Sequence, residues 1–199
     1  MLRLDRIMTR AGDGGVTRLA DGTALPKQHP LLEALGAIDE ANAIFGLCRA
    51  QGPPAPLDAC LAAVQHDLFD LGADLAQPAA RPALRLSPVQ VQRLEVWIAE
   101  GTARLPPLAS FVLPGGTMLA ASLHLARTVV RRAERALCAA IAAEPARSWN
   151  PCLVPYVNRL SDACFVWARL INAASGAETL WQPGCGQRAG MEAPPPPPS

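Results

Sequence analysis

Arg127, Arg131, Arg132 and Arg135 fall within about two turns of a helix, with Glu134 among them. Guanidinium groups packed that closely repel one another. The arrangement suits a strongly anionic ligand, and a polyphosphate is the nearest chemistry. The plainer explanation is a solvated basic face with Glu134 as a partial counter-ion. At about 100° per residue, Leu119, Leu123, Ala126, Val130, Ala133, Leu137 and Ile141 share one side, the stripe of a packed helix. His124, Arg127, Arg131 and Arg135 line up on an adjacent side, and Arg132 points further round. Phe111 and the turn Pro114-Gly115-Gly116-Thr117, a sequence able to cap a helix, lie just upstream.

Three more segments carry polar chemistry. Thr9-Arg10-Ala11-Gly12-Asp13-Gly14-Gly15-Val16-Thr17 holds glycines whose backbone N–H groups can converge on a ligand, and Lys27 follows as a point charge. It is not a Walker loop, and a plain glycine-rich turn explains it equally well. Asp39, Glu40 and Asn42 interrupt an otherwise apolar helix. They read either as a solvated face or as partners that aim an arginine. Asn158, Arg159 and Asp162 lie opposite an apolar side made by Leu160, Phe165, Val166 and Leu170. Asn158 is suited to phosphate, ribose or a metal-bound water, and Asp162 pairs with Arg159 or meets a ligand. His29, His66 and His124 form no metal-ligand pattern. No Glu-x-x-His pair indicates a di-iron bundle, and no Ser-His-Asp arrangement is evident.

The elements that position these groups read as helices. They span about 30–50, 56–77, 87–103, the arginine segment to 143, and 153–174, with breaks at Gly52-Pro53-Pro54, Pro78, Pro82, Pro106-Pro107 and Pro145. Ser87-Pro88 reads as an N-cap followed by proline at the first helical position, and Pro155 is tolerated in a first turn. Residues 1–27 read as an ordered loop, and no segment has a strand pattern. The expected architecture is all-α, a five-helix antiparallel bundle. One domain spans 1–183. The tail 184–199 ends in five prolines and is expected to be disordered or polyproline II, or else a docking site for a proline-reading module.

Composition bounds the function. The 199 residues are 50% hydrophobic and only 5% aromatic, which favours helices packed through small side chains. A net charge of +1 gives no global basic field, so nucleic acid is not expected as a partner. No apolar run approaches the ~18 residues of a membrane span, and the N-terminus lacks the apolar core of a secretion signal. Six cysteines without CxxC spacing read as reduced thiols of a cytoplasmic protein rather than disulfides or a zinc site.

TRAGDGGVT, Lys27, GAIDEAN, QHDLFDLGADLA, FVLPGGT, ARTVVRRAER and YVNRLSD occur in this order. The combination resembles the PduO-type ATP:cob(I)alamin adenosyltransferases over about residues 7–182. The resemblance implies a homotrimer with active sites between subunits. It implies transfer of the 5′-deoxyadenosyl group of ATP to the cobalt of cob(I)alamin, with Mg²⁺ and release of triphosphate. A flavoprotein reductant of cob(II)alamin and an adenosylcobalamin-dependent mutase are the implied partners.

By the same resemblance, Thr9, Arg10, Ala11, Gly12, Thr17 and Lys27 match the loop around the ATP phosphates. Arg131, Arg132, Ala133, Glu134 and Arg135 match the nucleotide-binding part of the long helix, and Asn158 matches a further ATP contact. Asp39 and Arg127 match a pair joining subunits at the active site. Phe111 matches the aromatic beneath the corrin that excludes a lower axial ligand. The sequence departs from the pattern at Gly14, where the family usually has lysine, and at Leu35 and Ala163, where aromatics are common. Gly14 implies one fewer phosphate charge and weaker ATP binding. The other classes to weigh are a non-catalytic adenosylcobalamin carrier and a helical protein whose basic stripe binds an acidic partner.

Overall fold

The computed structural model describes residues 8, 10–19, 21–77 and 84–185, so Thr9 and the proline run lie outside the described residues. Five helices account for most of it: α1 (Pro30–Arg49), α2 (Ala55–Leu75), α3 (Pro88–Thr102), α4 (Met118–Ala143) and α5 (Leu153–Ser175). Their ends fall within a few residues of the expected ones because proline and glycine set them. Pro30 and Pro88 open α1 and α3, and Gly176 closes α5 in a left-handed conformation (φ 66°). His29 caps α1 by accepting the Leu31 N–H at Nδ1 (3.2 Å). At α3, Gln90 reaches back to the Ser87 N–H (2.9 Å), a capping box.

The expectation of no strands is corrected. β1 (Val16–Arg18) and β2 (Ala24–Pro26) form an antiparallel hairpin, with Thr17 opposite Leu25. Each strand has three residues, too short for a two-residue alternation to stand out. The connecting turn is set by Gly22 at φ 89° and by the Asp21 carboxylate, which accepts from the Thr23 N–H and hydroxyl, both at 2.9 Å. Leu19 and Leu25 fasten the hairpin to the bundle core.

Helix α4 lies at the centre, packed against α1 on one side and α5 on the other. Helix α2 lies outside α1, and α3 outside α5. The middle of the predicted stripe on α4 is buried, with Leu123, Val130 and Leu137 in the core and Ala126 and Ala133 letting neighbours approach; Leu119 and Ile141 at its ends are half-buried, and Ala120 and Ala140, outside the stripe, are buried as well. Each large aliphatic side chain so buried contributes roughly 1.5–3 kcal/mol.

Two carboxylates buried on α2 tie down elements that α2 barely packs against. Asp67 accepts from the Tyr156 hydroxyl (2.8 Å) and pairs with Arg93 of α3. Asp74 takes Arg85 (2.7 Å), the Leu86 N–H (3.2 Å) and the Asn150 amide (2.6 Å). Buried carboxylates are tolerated only when paired in this way. The buried thiols are inert: desolvation pushes Cys48 up to about 11, and Cys164 is also raised.

Gly101 marks the closest crossing of α3 and α5. A Cβ there would lie 2.5 Å from Val166 Cγ1, whereas one at Gly72 on α2 meets nothing within 4 Å. Gly101→Ala is therefore expected to cost about 1–3 kcal/mol, and Gly72→Ala to add up to about 1 kcal/mol. Thermal or urea unfolding of the two variants checks the opposite signs.

Candidate active site

The turn before α4 is locked from across the bundle. Gly116 adopts φ 94°, and a Cβ on it would lie 2.2 Å from Asn172 Oδ1. Asn172, only 1% exposed on α5, accepts the Thr117 N–H at Oδ1 (3.1 Å) and donates from Nδ2 to the Gly115 carbonyl (2.9 Å). Thr117 then caps α4 by accepting the Ala120 N–H (3.2 Å). Nothing in the local pattern around Asn172 marks it, because its partners lie more than fifty residues away.

Upstream of this turn, the Phe111 segment pairs with the chain that follows α5. Trp181 N–H donates to the Phe111 carbonyl (2.7 Å), Leu113 N–H to the Thr179 carbonyl (2.9 Å), and the Ser110 hydroxyl to the Trp181 carbonyl (2.8 Å). Arg169 anchors that segment through Glu178 (2.8 and 3.2 Å) and the Pro106 carbonyl (3.1 Å). Phe111 is 77% exposed, and its ring meets Trp181 with centroids 6.1 Å apart. A cavity of about 640 Å³ opens beside them, lined also by Val112, His124, Arg127 and Phe165.

His124 does not share the open face of the arginines. It is 2% exposed, turned toward Phe165 with ring centroids 6.2 Å apart, and neither ring nitrogen has a hydrogen-bond partner among the described residues. Desolvation, with Arg127 nearby, holds its pKa below the ordinary imidazole value, although Glu178 opposes this. Arg127 is half-buried, and its Nε is likewise buried without a partner among the described residues.

One and two turns further along α4, Arg131 and Arg135 are exposed and make no ion pair among the described residues; Arg135 donates to the Arg131 carbonyl (3.0 Å). Arg132 turns the other way and pairs with Glu40 of α1. Both groups are about half exposed, so the pair fixes direction more than it stabilises. Asp39, next to Glu40, is exposed and has no ion pair among the described residues. Glu134 is no counter-ion for these arginines. It accepts from Asn158 Nδ2 (2.9 Å), and Asn158 in turn accepts from Arg159, whose Nε lies 3.4 Å from Asp162. Ala133 is fully buried, so its methyl belongs to the core stripe and not to the arginine face.

The glycine turn is built around Lys27. Asp13 N–H donates to the Arg10 carbonyl (3.3 Å), Gly15 N–H to the Gly12 carbonyl (3.2 Å), and Lys27 N–H to the Gly15 carbonyl (2.8 Å). A Cβ on Gly12 would lie 3.1 Å from Lys27 Nζ, so the ammonium lies over the turn. Arg10 has a positive φ of 58°, beside Ala11, and Thr17 sits half-buried in β1. A Cβ at Gly14 meets nothing within 4 Å, so a longer side chain would fit and only its charge is missing. No group of three or more His, Cys, Asp or Glu able to hold a metal occurs among the described residues.

These features define a helical bundle with an uncompensated cationic helix face next to an aromatic-walled cavity. The family model for cobalamin adenosyltransferase matches residues 7–171. A cobalamin adenosyltransferase of Cupriavidus metallidurans is 46% identical over 90% of this chain and 96% of its own length. A corrinoid adenosyltransferase of Mycobacterium tuberculosis is 44% identical over 92% of this chain and 96% of its own. Among solved structures, a phenylalanine-to-histidine variant of the PduO-type ATP:corrinoid adenosyltransferase from Lactobacillus reuteri, complexed with cobalamin and ATP, superposes with a TM-score of 0.81. It is 34% identical, covering 89% of this chain and 97% of that one. The chain belongs to the cobalamin adenosyltransferase family.

Removing the clamp on the α4 turn tests its role. Asn172→Ala is expected to destabilise the protein by about 1–3 kcal/mol, because the Gly115 carbonyl and Thr117 N–H lose their buried partner. Hydrogen exchange at Thr117 should accelerate more than exchange in mid-α4.

Proposed function

We infer that this chain transfers the 5′-deoxyadenosyl group of ATP to the cobalt of cob(I)alamin, giving adenosylcobalamin and triphosphate. The observation that carries this reading is the pair Arg131 and Arg135, which lack acidic partners among the described residues, one and two turns beyond Arg127 in the wall of an aromatic cavity. Co(I) attacks C5′ with its own electron pair and becomes Co(III). The C5′–O5′ bond breaks, and its electrons leave with the triphosphate. The nucleophile is the metal itself, so the protein needs no catalytic base. It must align two substrates and neutralise a polyanion that becomes a leaving group.

Arg131 and Arg135 take the phosphates, with Arg132 held by Glu40 beside them. Glu134 orients Asn158 toward the nucleotide. Arg10, Ala11, Gly12, Thr17 and Lys27 close over the phosphates from the glycine turn, and Thr9, outside the described residues, belongs to the same motif. Mg²⁺, brought with ATP, would help Arg131, Arg135 and Lys27 neutralise the triphosphate leaving group. Phe111 lies under the corrin and keeps a lower ligand off cob(II)alamin. An axial donor raises the energy of the orbital that accepts the electron, so its exclusion eases reduction to Co(I).

The active unit is a homotrimer, with Asp39 of one subunit meeting Arg127 of the next. Support for this comes from both groups lacking ion pairs within the single chain, among the described residues. Residues 1–183 form the catalytic unit, and 184–199 are an appendage. A flavoprotein reductant and an adenosylcobalamin-dependent mutase are the partners of this chemistry. The free cysteines among the described residues fit a reducing cytoplasm.

Mixing the protein with MgATP and chemically reduced cobalamin is expected to yield the adenosylcobalamin spectrum and one triphosphate per product. A carrier would bind corrinoid without releasing triphosphate. Arg131→Ala should lower turnover at least about a hundredfold while leaving a folded oligomer; full activity in that variant would overturn the phosphate role. Phe111→Ala should convert four-coordinate cob(II)alamin to a five-coordinate form by EPR, and an unchanged spectrum would refute the wall.

A further inference from the structure

His124 is the strongest unexplained group in the molecule. It is almost fully enclosed, yet both ring nitrogens lack partners among the described residues. A buried polar group without a partner costs about 1–3 kcal/mol, so a ligand or neighbour that supplies the missing hydrogen bonds is favoured. The imidazole lines the cavity shared with Phe111, Trp181 and Phe165, whose walls are otherwise largely apolar. Among the remaining polar groups there, neither the Ser110 hydroxyl, which donates to the Trp181 carbonyl, nor Arg127 makes a hydrogen bond to the imidazole.

We propose that His124 is a specificity-determining residue that hydrogen-bonds a primary carboxamide on the periphery of the corrin ring. This rests on the adenosyltransferase reading. A corrin presents an apolar ring edged with primary amides, and each amide is both donor and acceptor. A neutral imidazole is also one donor and one acceptor, so it discriminates an amide from a methyl group or a carboxylate at that position. The charged groups facing His124 keep it in that form. Arg127 on α4 opposes its protonation, and Glu178, after α5, is already committed to Arg169.

The test uses full-length protein with ATP, and cob(II)alamin as the probe. Adenosylation by the unaltered protein is established first, so that failure of the adenosyltransferase reading is seen on its own. His124→Phe keeps a flat ring of similar size and removes the hydrogen bond to the carboxamide. It is expected to weaken cob(II)alamin binding about tenfold, the scale of one buried hydrogen bond, with the KM for ATP unchanged. His124→Asn restores a donor and an acceptor and should recover most of that loss. Acidification should weaken binding to the unaltered protein only at a pH below the ordinary imidazole range, where His124 gains a proton and loses its acceptor, and not to the Asn variant. Corrinoid affinity in His124→Phe within twofold of the unaltered protein overturns the proposal. So does a loss of oligomer mass in sedimentation that accompanies the weakened binding, because His124 would then be serving a neighbouring subunit.

Discussion

Helix α4 has to be buried on one side and cationic on the other, and the rest of the bundle is arranged around that requirement. Its core side alternates large aliphatic residues with alanines, so α1 and α5 close on it from either side. Its other side carries arginines that repel one another. A helix held only by its own hydrogen bonds would not keep those groups in register. Tertiary packing fixes the axis, and the arginine direction follows from it. Ala133 shows how the two demands are divided, since it sits between Arg132 and Glu134 in sequence yet is wholly buried.

Polar contacts from neighbouring helices then aim individual groups. Glu40 of α1 draws Arg132 away from the line of Arg131 and Arg135, and Asn158 of α5 draws Glu134 away from all three. Without the second contact, Glu134 would neutralise the field meant for a ligand. The exposed pairs contribute little energy, so their value lies in orientation. Stability comes instead from the aliphatic core and from Asp67 and Asp74, which bind α3 and the α4–α5 connection to α2 where direct packing is thin.

Helices and the arginine face were legible in the sequence because both depend on local period and on strong breakers. The 3.6-residue stripe on α4 captures the buried Leu123, Ala126, Val130, Ala133 and Leu137 but not Ala120, Ser122, His124, Val129 or Ala140, and prolines and glycines place the helix ends. Other features were not legible, for identifiable reasons. The hairpin strands are shorter than any alternation that could reveal them. His124 has the helical phase of the arginines, but Phe165 and the Phe111 segment fold over it, and only tertiary structure shows that. Asn172 and Asp67 act on partners far along the chain, and Asp74 joins nearby Arg85 to distant Asn150, so no short window of sequence contains these interactions whole. The family motifs bring Phe111 and Arg131 to notice, yet the contacts that hold them in place lie outside those motifs.

The spacing along α4 gives the site its geometry. His124 and Arg131 are separated by two helical turns, a rise of about 10 Å. The cavity wall and the exposed arginines are therefore fixed on one rigid rod: His124 and Arg127 line the cavity, and Arg131 and Arg135 follow one and two turns beyond Arg127. A corrin against Phe111 and a triphosphate against Arg131 would leave a ribose between them, where C5′ must meet cobalt. Flexible loops would lose that alignment, because displacements near 1 Å are costly to reactions that depend on positioning. This accounts for the tight bracing of the rod's start. Gly116 has no side chain, so it adopts its turn and leaves Asn172 the space a Cβ would need, and Arg169 and Glu178 pin the segment that carries Trp181. Under the proposed function, bracing of this kind would hold a corrin on Phe111 in register with a triphosphate on Arg131, so the fold would align the two before either one binds.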